Sequence, residues 1–222
     1  MNKIELRPIE IFDAEIINKI RNQSISYLHD DSTFTVEETK NWIVKNNPFW
    51  YVIILDGEII GYFRLTNFSN KNRNIYIGAD IEESHRGKGI GYSAYLIMME
   101  KLFKERKLNK ISLEVLSNNE QAHGLYKKIG FVVEGTKRQE IWRNGSWIDS
   151  IIMSMTRREF MLKYPGSLTS PCIGICQKND YICSSCGRTI DQIKGWSESD
   201  PEQREITIAS LTPKIDNMIK GL

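Results

Sequence analysis

The first 171 residues contain no cysteine, and the three histidines, His29, His85 and His123, are scattered along the chain. A thiol nucleophile is therefore excluded from most of the sequence. Nothing in the histidine spacing assembles a triad, and each reads as a surface or hydrogen-bonded residue before it reads as a catalyst. Nowhere do about 18 apolar residues run together, so no membrane-spanning helix is expected. Met1 to Arg7 carries charges where a secretory leader needs an apolar stretch, which points to a soluble, cytoplasmic chain. Neither sign of charge dominates: 30 Lys and Arg face 28 Asp and Glu, for a net charge of +2. That balance argues against nucleic acid or an anionic membrane as the main partner and leaves room for a small anionic ligand.

What is present is 222 residues, 41% of them hydrophobic, enough for one packed domain with something appended. Period-two apolar runs at 3–8, 50–56, 58–67, 73–81, 110–116, 131–141 and 147–155 predict strands. Asp56-Gly57 and Asn144-Gly145 predict tight hairpin turns, so most of the sheet is expected to be antiparallel. Helical spacing appears over 12–21, over 36–46 behind a Thr35/Glu38 capping box, over 89–106, and over 119–129 with Gly130 at its end. In the third helix Tyr95, Leu96, Met99, Leu102 and Phe103 share a core-facing stripe. The order is that of an α+β fold. Tyr164 to Ser170 breaks the composition, so the expected division is 1–163, a linker over 164–171, and a small unit over 172–222.

Between the strand ending at Ile81 and the third helix stands Arg86-Gly87-Lys88-Gly89-Ile90-Gly91. A pyrophosphate needs several backbone N–H groups aimed at it with no side chains in the way, which glycines at a helix N-terminus supply; Arg86 and Lys88 add charge. A flexible turn with solvated charges is the plainer alternative. A Walker loop needs Lys-Ser/Thr after its last glycine, and Gly91-Tyr92 is not that. A Rossmann loop needs a parallel βαβ unit, which a largely antiparallel sheet does not offer.

Arg86-x-x-Gly89-x-Gly91 resembles the coenzyme A pyrophosphate loop of the GNAT superfamily of N-acetyltransferases. Asn119-x-x-Ala122-x-x-x-Tyr126-x-x-x-Gly130-Phe131 resembles that family's following helix. The likeness covers about residues 3–160 and extends to the branch of ribosomal-protein and amino-sugar acetyltransferases. It implies a GNAT fold, a mixed, largely antiparallel twisted sheet flanked by helices. It also implies acetyl-CoA as cosubstrate, bound by Ile81, Arg86, Gly87, Lys88, Gly89, Ile90, Gly91, Tyr92 and Asn119. Acetyl would pass to a primary amine by direct attack, the acceptor being an amino sugar, a protein N-terminus or a small amine. A coenzyme A-binding or metal-dependent interaction protein that has lost transferase activity is the rival reading.

Such transfer needs a neutral amine, a stabilised oxyanion and a proton for the thiolate, but no protein nucleophile. The resemblance places Tyr126 near the sulfur as candidate acid, with a packing aromatic as the duller reading. Glu114 is the candidate base, twelve residues before Tyr126, with a solvated strand-face charge as its alternative. Leu116 departs from the family, which commonly carries Arg there, and Asp80 and Glu83 are further base candidates. Trp42, Trp142 and Trp147 either line the acceptor site or belong to the core.

All four cysteines fall within fifteen residues: Cys172, Cys176, Cys183 and Cys186. In a cytoplasmic chain such clustering points to a metal before disulfides. Four thiolates on zinc or an iron–sulfur cluster would replace the core that about 50 residues cannot build. Zinc is favoured because no redox chemistry is called for. The stretch resembles a short bacterial four-cysteine family of unknown function. A homodimer contact or docking of a partner is a possible use for it.

Overall fold

The computed structural model describes residues 3–164, 170–171, 178–179, 181–183 and 186–219, the backbone alone at 178–179 and 212–219. Seven strands form one sheet: β1 (Ile4–Pro8), β2 (Trp50–Leu55), β3 (Glu58–Ser69), β4 (Asn74–Ile81), β5 (Lys110–Leu116), β6 (Val132–Arg143) and β7 (Ser146–Thr156). Their spatial order is β1-β2-β3-β4-β5-β7-β6, and every pairing is antiparallel except β4 with β5. Both predicted hairpin turns carry positive φ at their two central residues, 50° and 93° at Asp56-Gly57 and 50° and 79° at Asn144-Gly145. That is the twist a two-residue connection between right-twisted strands requires.

Helices cover both faces. On one, α1 (Ala14–Gln23) and α2 (Val36–Asn46) bury Ala14, Ile17, Ile20 and Ile43 against Val52 and Tyr62. On the other, α3 (Ile90–Glu105), α4 (Glu120–Ile129) and α5 (Arg157–Lys163) close a larger core that includes Phe63, Met98, Met99, Phe103 and Phe160. Each such side chain, fully removed from water, contributes about 1.5–3 kcal/mol. Gly130 ends α4 at φ 108°, where a Cβ would lie 2.7 Å from the Met155 methyl.

Helix α1 starts two residues later than its periodicity predicts. A 3₁₀ turn over Ile11–Asp13 precedes it, because the buried Asp13 carboxylate accepts from Arg7 twice at 2.7 Å and from the Glu10 N–H at 2.8 Å. The predicted elements omit α5, although Thr156 and Glu159 form a capping box there. The C-terminal segment holds a 19-residue helix, α7 (Pro201–Ile219), preceded by α6 (Ile190–Lys194) and a short ladder of β8 (Lys178–Asn179) with β9 (Ile182–Cys183). Trp196 and Ile208 from this C-terminal segment pack into the same core as α3 and α5. Among the described residues, no helix is long and apolar enough to cross a membrane.

Candidate active site

Strands β4 and β5 pair only from Asn74 to Tyr76 against Lys110 to Ser112. Beyond that they diverge, while β4 stays zipped to β3 through Ile81 and β5 to β7 through Leu116. The sheet is thus split into a V, and the edge of β4 facing the gap has backbone groups without ladder partners. A cavity of about 570 Å³ opens there, under the N-termini of α3 and α4.

Its outer end is the glycine loop. Gly87 and Gly89 sit at φ 73° and 79°, a left-handed region that costs a side-chain-bearing residue about 1–2 kcal/mol. Gly89 is the residue from which α3 starts. Gly91 faces the cavity with no room to spare, since a Cβ would meet Ile81 and Leu125 at 3.3 Å. Arg86 is largely committed to the loop itself: Nε donates to the Ile81 carbonyl at 2.8 Å and Nη2 to Ser24 Oγ at 2.9 Å. It locks the end of β4 to the end of α1. Ile81, Arg86, Gly87, Gly89, Gly91, Tyr92 and Asn119 line the cavity; Lys88 is exposed outside it and Ile90 is buried in the core. Asn119 caps α4, its side-chain oxygen accepting from the Ala122 N–H at 3.1 Å. Lys128 also lines the cavity, with its ammonium 5.0 Å above the Tyr92 ring. Sequence reasoning passed over it, though it stands nine positions from Asn119 on the matched helix.

At the inner end Tyr126 is buried, packed edge-on to Tyr95 with centroids 5.4 Å apart. The Tyr95 hydroxyl donates to the Tyr126 oxygen at 3.1 Å. Burial pushes both phenols up, so both stay protonated at neutral pH. Asp80 reaches the same cavity.

Glu114 is placed differently from what base catalysis in this cavity requires. It does not line the cavity, and both its oxygens accept from Lys137, at 2.8 and 2.9 Å. His29 Nε2 lies 3.8 Å from Glu114 and 2.8 Å from Ser150 Oγ. Burial lowers the His29 pKa, so the ring is neutral at pH 7. The three tryptophans are not core: Trp42 stacks near Trp50 at 4.8 Å, Trp142 and Trp147 meet edge-on at 5.2 Å on the β6–β7 hairpin, and all are exposed. None lines the large cavity. Trp147 lines a second, smaller one beside Arg143, which ties the hairpin to the carbonyls of Ser26 and Leu28 at 2.9 and 2.8 Å.

Of the four cysteines, Cys172 and Cys176 lie outside the described residues. Cys183 and Cys186 are buried on a turn closed by the Gly187 N–H to the Cys183 carbonyl at 2.7 Å. Among the described residues no three metal-ligating side chains converge.

Residues 15–131 match the family described as Acetyltransferase (GNAT) family. The chain belongs to the GNAT acetyltransferase family. Residues 170–214 match a second one, described as Protein of unknown function (DUF1289). Among GNAT relatives, the SPbeta prophage-derived uncharacterized N-acetyltransferase YokL of Bacillus subtilis is 26% identical over 74% of this chain and 93% of its own length. The spermidine N(1)-acetyltransferase of Escherichia coli K12 is 25% identical over 73% of this chain and 91% of its own. The Vibrio cholerae spermidine N-acetyltransferase, solved in complex with CoA and spermine, superposes with a TM-score of 0.67 at 25% identity, covering 71% of this chain and 98% of that one. This GNAT chain is an N-acetyltransferase that moves acetyl from acetyl-CoA to an amine.

Proposed function

We propose that acetyl-CoA lies in the gap between β4 and β5. In this reading its pyrophosphate sits on the Gly87–Gly91 turn and its thioester beside Tyr126, while a primary amine attacks directly from the α1–α2 side. The observation that carries it is the convergence of Arg86, Gly87, Gly89, Gly91, Asn119 and Tyr126, from two separate sequence motifs, on one cavity. The α3 N-terminus offers N–H donors and a partial positive charge to phosphate oxygens. The unpaired edge of β4 offers backbone partners to the amides of the pantetheine arm, as an added strand would use them.

Tyr126 gives its proton to the departing thiolate. Tyr95 already donates to its oxygen, which leaves the Tyr126 O–H free to point at sulfur. The exposed Trp142 and Trp147 on the hairpin flank the entrance for the amine. The acceptor is an amino sugar, a protein N-terminus or a small amine, and the enzyme works in the cytoplasm.

The four cysteines form a structural metal module, with zinc as the metal. Burial raises the Cys186 thiol, so a proton is costly to remove there unless a cation replaces it, and the Arg188 guanidinium, donating to Cys186 Sγ at 3.4 Å, favours the thiolate. Cys183 and Cys186 on one turn would supply two ligands and Cys172 and Cys176 the others; zinc would hold the module together.

The test of the transferase reading is release of free CoA thiol from acetyl-CoA by the purified chain with spermidine, an alanine-ended peptide or glucosamine. Turnover on at least one supports it. Tight acetyl-CoA binding with no release on any would make this a coenzyme A-binding protein.

A further inference from the structure

The match to the GNAT family ends at residue 131, and α5 lies beyond it. The residue just past α5 nevertheless reaches the wall of the large cavity from behind. Tyr164 donates from its hydroxyl to the Ile129 carbonyl at 2.9 Å, one of the last-turn carbonyls that α4 cannot pair within itself. With that proton committed, Tyr164 can only accept in its bond with Tyr92, so the Tyr92 hydroxyl 3.2 Å away is the donor. Tyr92 lines the cavity, and so does Lys128, the neighbour of Ile129, whose ammonium stands 5.0 Å above the Tyr92 ring. Lys163 presses on the same place, since a Cβ on Gly130 would lie 2.8 Å from its Cδ. One phenol behind the cavity wall thus ties the first turn of α3 to the last turn of α4.

Tyr164 is in turn held by the C-terminal segment. Phe160, one turn back on α5, packs on Tyr164 with ring centroids 5.0 Å apart and on Phe103 at 5.2 Å. Trp196 and Ile208 belong to the same core. At the start of α5 the buried Arg157 guanidinium donates to the Ser170 carbonyl, at 2.7 Å from Nη2 and 3.2 Å from Nε, and also to the Phe103 carbonyl. Ser170 is the first residue of the second family match. Arg188 donates to Ser170 Oγ at 3.3 Å and to Cys186 Sγ at 3.4 Å. A continuous run of contacts therefore leads from Cys186 through Arg188, Ser170 and α5 to Tyr164, and from there to two side chains of the cavity wall.

We infer that Tyr164 is a positioning residue for acetyl-CoA, through which the C-terminal segment sets the affinity of the cavity for its cosubstrate; the inference rests on the placement of acetyl-CoA in that cavity. Tyr164 touches no reacting atom. It holds Tyr92 and Lys128 as a preformed wall, so that acetyl-CoA need not order them on binding. Tyr126 and Tyr95 stand at the inner end of the cavity, so the effect falls on binding and leaves the chemical step alone. Linkage makes the relation reciprocal: what the segment contributes to acetyl-CoA binding, bound acetyl-CoA returns to the segment.

The experiment compares the full-length wild type with Tyr164→Phe, Tyr92→Phe, the double variant and Arg188→Gln. Acetyl-CoA binding is measured by titration calorimetry, kcat at saturation by CoA thiol release, and hydrogen exchange of the α7 backbone with and without acetyl-CoA. Tyr164→Phe keeps the ring and loses both hydrogen bonds, and should weaken acetyl-CoA binding about five- to tenfold with kcat within about twofold. Adding Tyr92→Phe to it should cost less than about a further twofold, because the shared bond is already gone. Arg188→Gln, far from the cavity, should weaken acetyl-CoA binding about threefold. Acetyl-CoA should slow exchange in α7 of the wild type and much less in Tyr164→Phe. An unchanged affinity in Tyr164→Phe, a loss carried by kcat, a double variant whose losses multiply, an unchanged affinity in Arg188→Gln, or α7 exchange indifferent to acetyl-CoA overturns the inference and leaves the transferase reading intact. A wild type that binds no acetyl-CoA contradicts both. The expected binding and exchange results without turnover on any amine support the inference and remove the transferase reading alone.

Discussion

The Tyr95 hydroxyl donates its hydrogen bond to the Tyr126 oxygen over 3.1 Å, between two buried rings at the inner end of the cavity. The tyrosine on α3 is thus the donor and that on α4 the acceptor, which leaves the Tyr126 proton for the thiolate in the proposed mechanism. Tyr95→Phe removes that donor without opening a large void. It should lower stability by about 1 kcal/mol and kcat by a few fold, through looser placement of Tyr126. Urea unfolding beside steady-state kinetics checks both; an unchanged kcat would mean that Tyr126 needs no orienting partner.

Gly89 starts α3 at φ 79°, and no heavy atom lies within 4 Å of the place a Cβ would take. The cost of Gly89→Ala is therefore conformational rather than steric, about 1 kcal/mol. A loop that relaxes toward negative φ turns its N–H groups away from the pyrophosphate. Titration calorimetry should show acetyl-CoA binding weakened by about tenfold, with kcat at saturation less affected.

Much of this is legible in the sequence. Two spaced motifs led to the cavity, because glycine at positive φ and an Asn cap are local requirements that residue type alone discloses. The hairpin turns and the Thr35 cap are local in the same sense. What was not legible depends on register. Asp80 meets Tyr62 only because β3 and β4 pair as they do, and the Lys137–Glu114 ion pair depends on β6 lying beside β7 and β7 beside β5. His29 touches Ser150 across 121 positions of chain. Helix α5 is different, since Thr156-x-x-Glu159 was visible and only the pull of the preceding strand hid it.

His29 gives a pH signature. Burial holds its folded pKa below the ordinary 6.5, so the unfolded chain takes up the proton first as pH falls. Stability should therefore be steady above about pH 6.5 and decline below it, until the folded ring also protonates. The carboxylates with lowered pKa values, Glu134, Glu82 and Asp30 among them, lose their contributions only below about pH 4.5. His29→Gln can keep the contact with Ser150 and should flatten the decline between about pH 6.5 and 5 in chemical unfolding. A decline of unchanged slope would assign it elsewhere.

The cysteine module predicts about one zinc per chain in protein purified under reducing conditions, measured by elemental analysis. Cys186→Ser should lower that content and destabilise the C-terminal segment, whose Trp196 and Ile208 would then give less to the shared core. Neither zinc nor iron in fresh, reduced material would remove the metal from this picture.

Single-turnover acetyl transfer by Tyr126→Phe, with acetyl-CoA prebound and the amine saturating, tests the placement of the chemistry most directly. The predicted result is a chemical step slowed by about 10²-fold or more, with acetyl-CoA affinity within about twofold of wild type. An unchanged single-turnover rate would contradict it, and would place the proton donor outside the gap between β4 and β5.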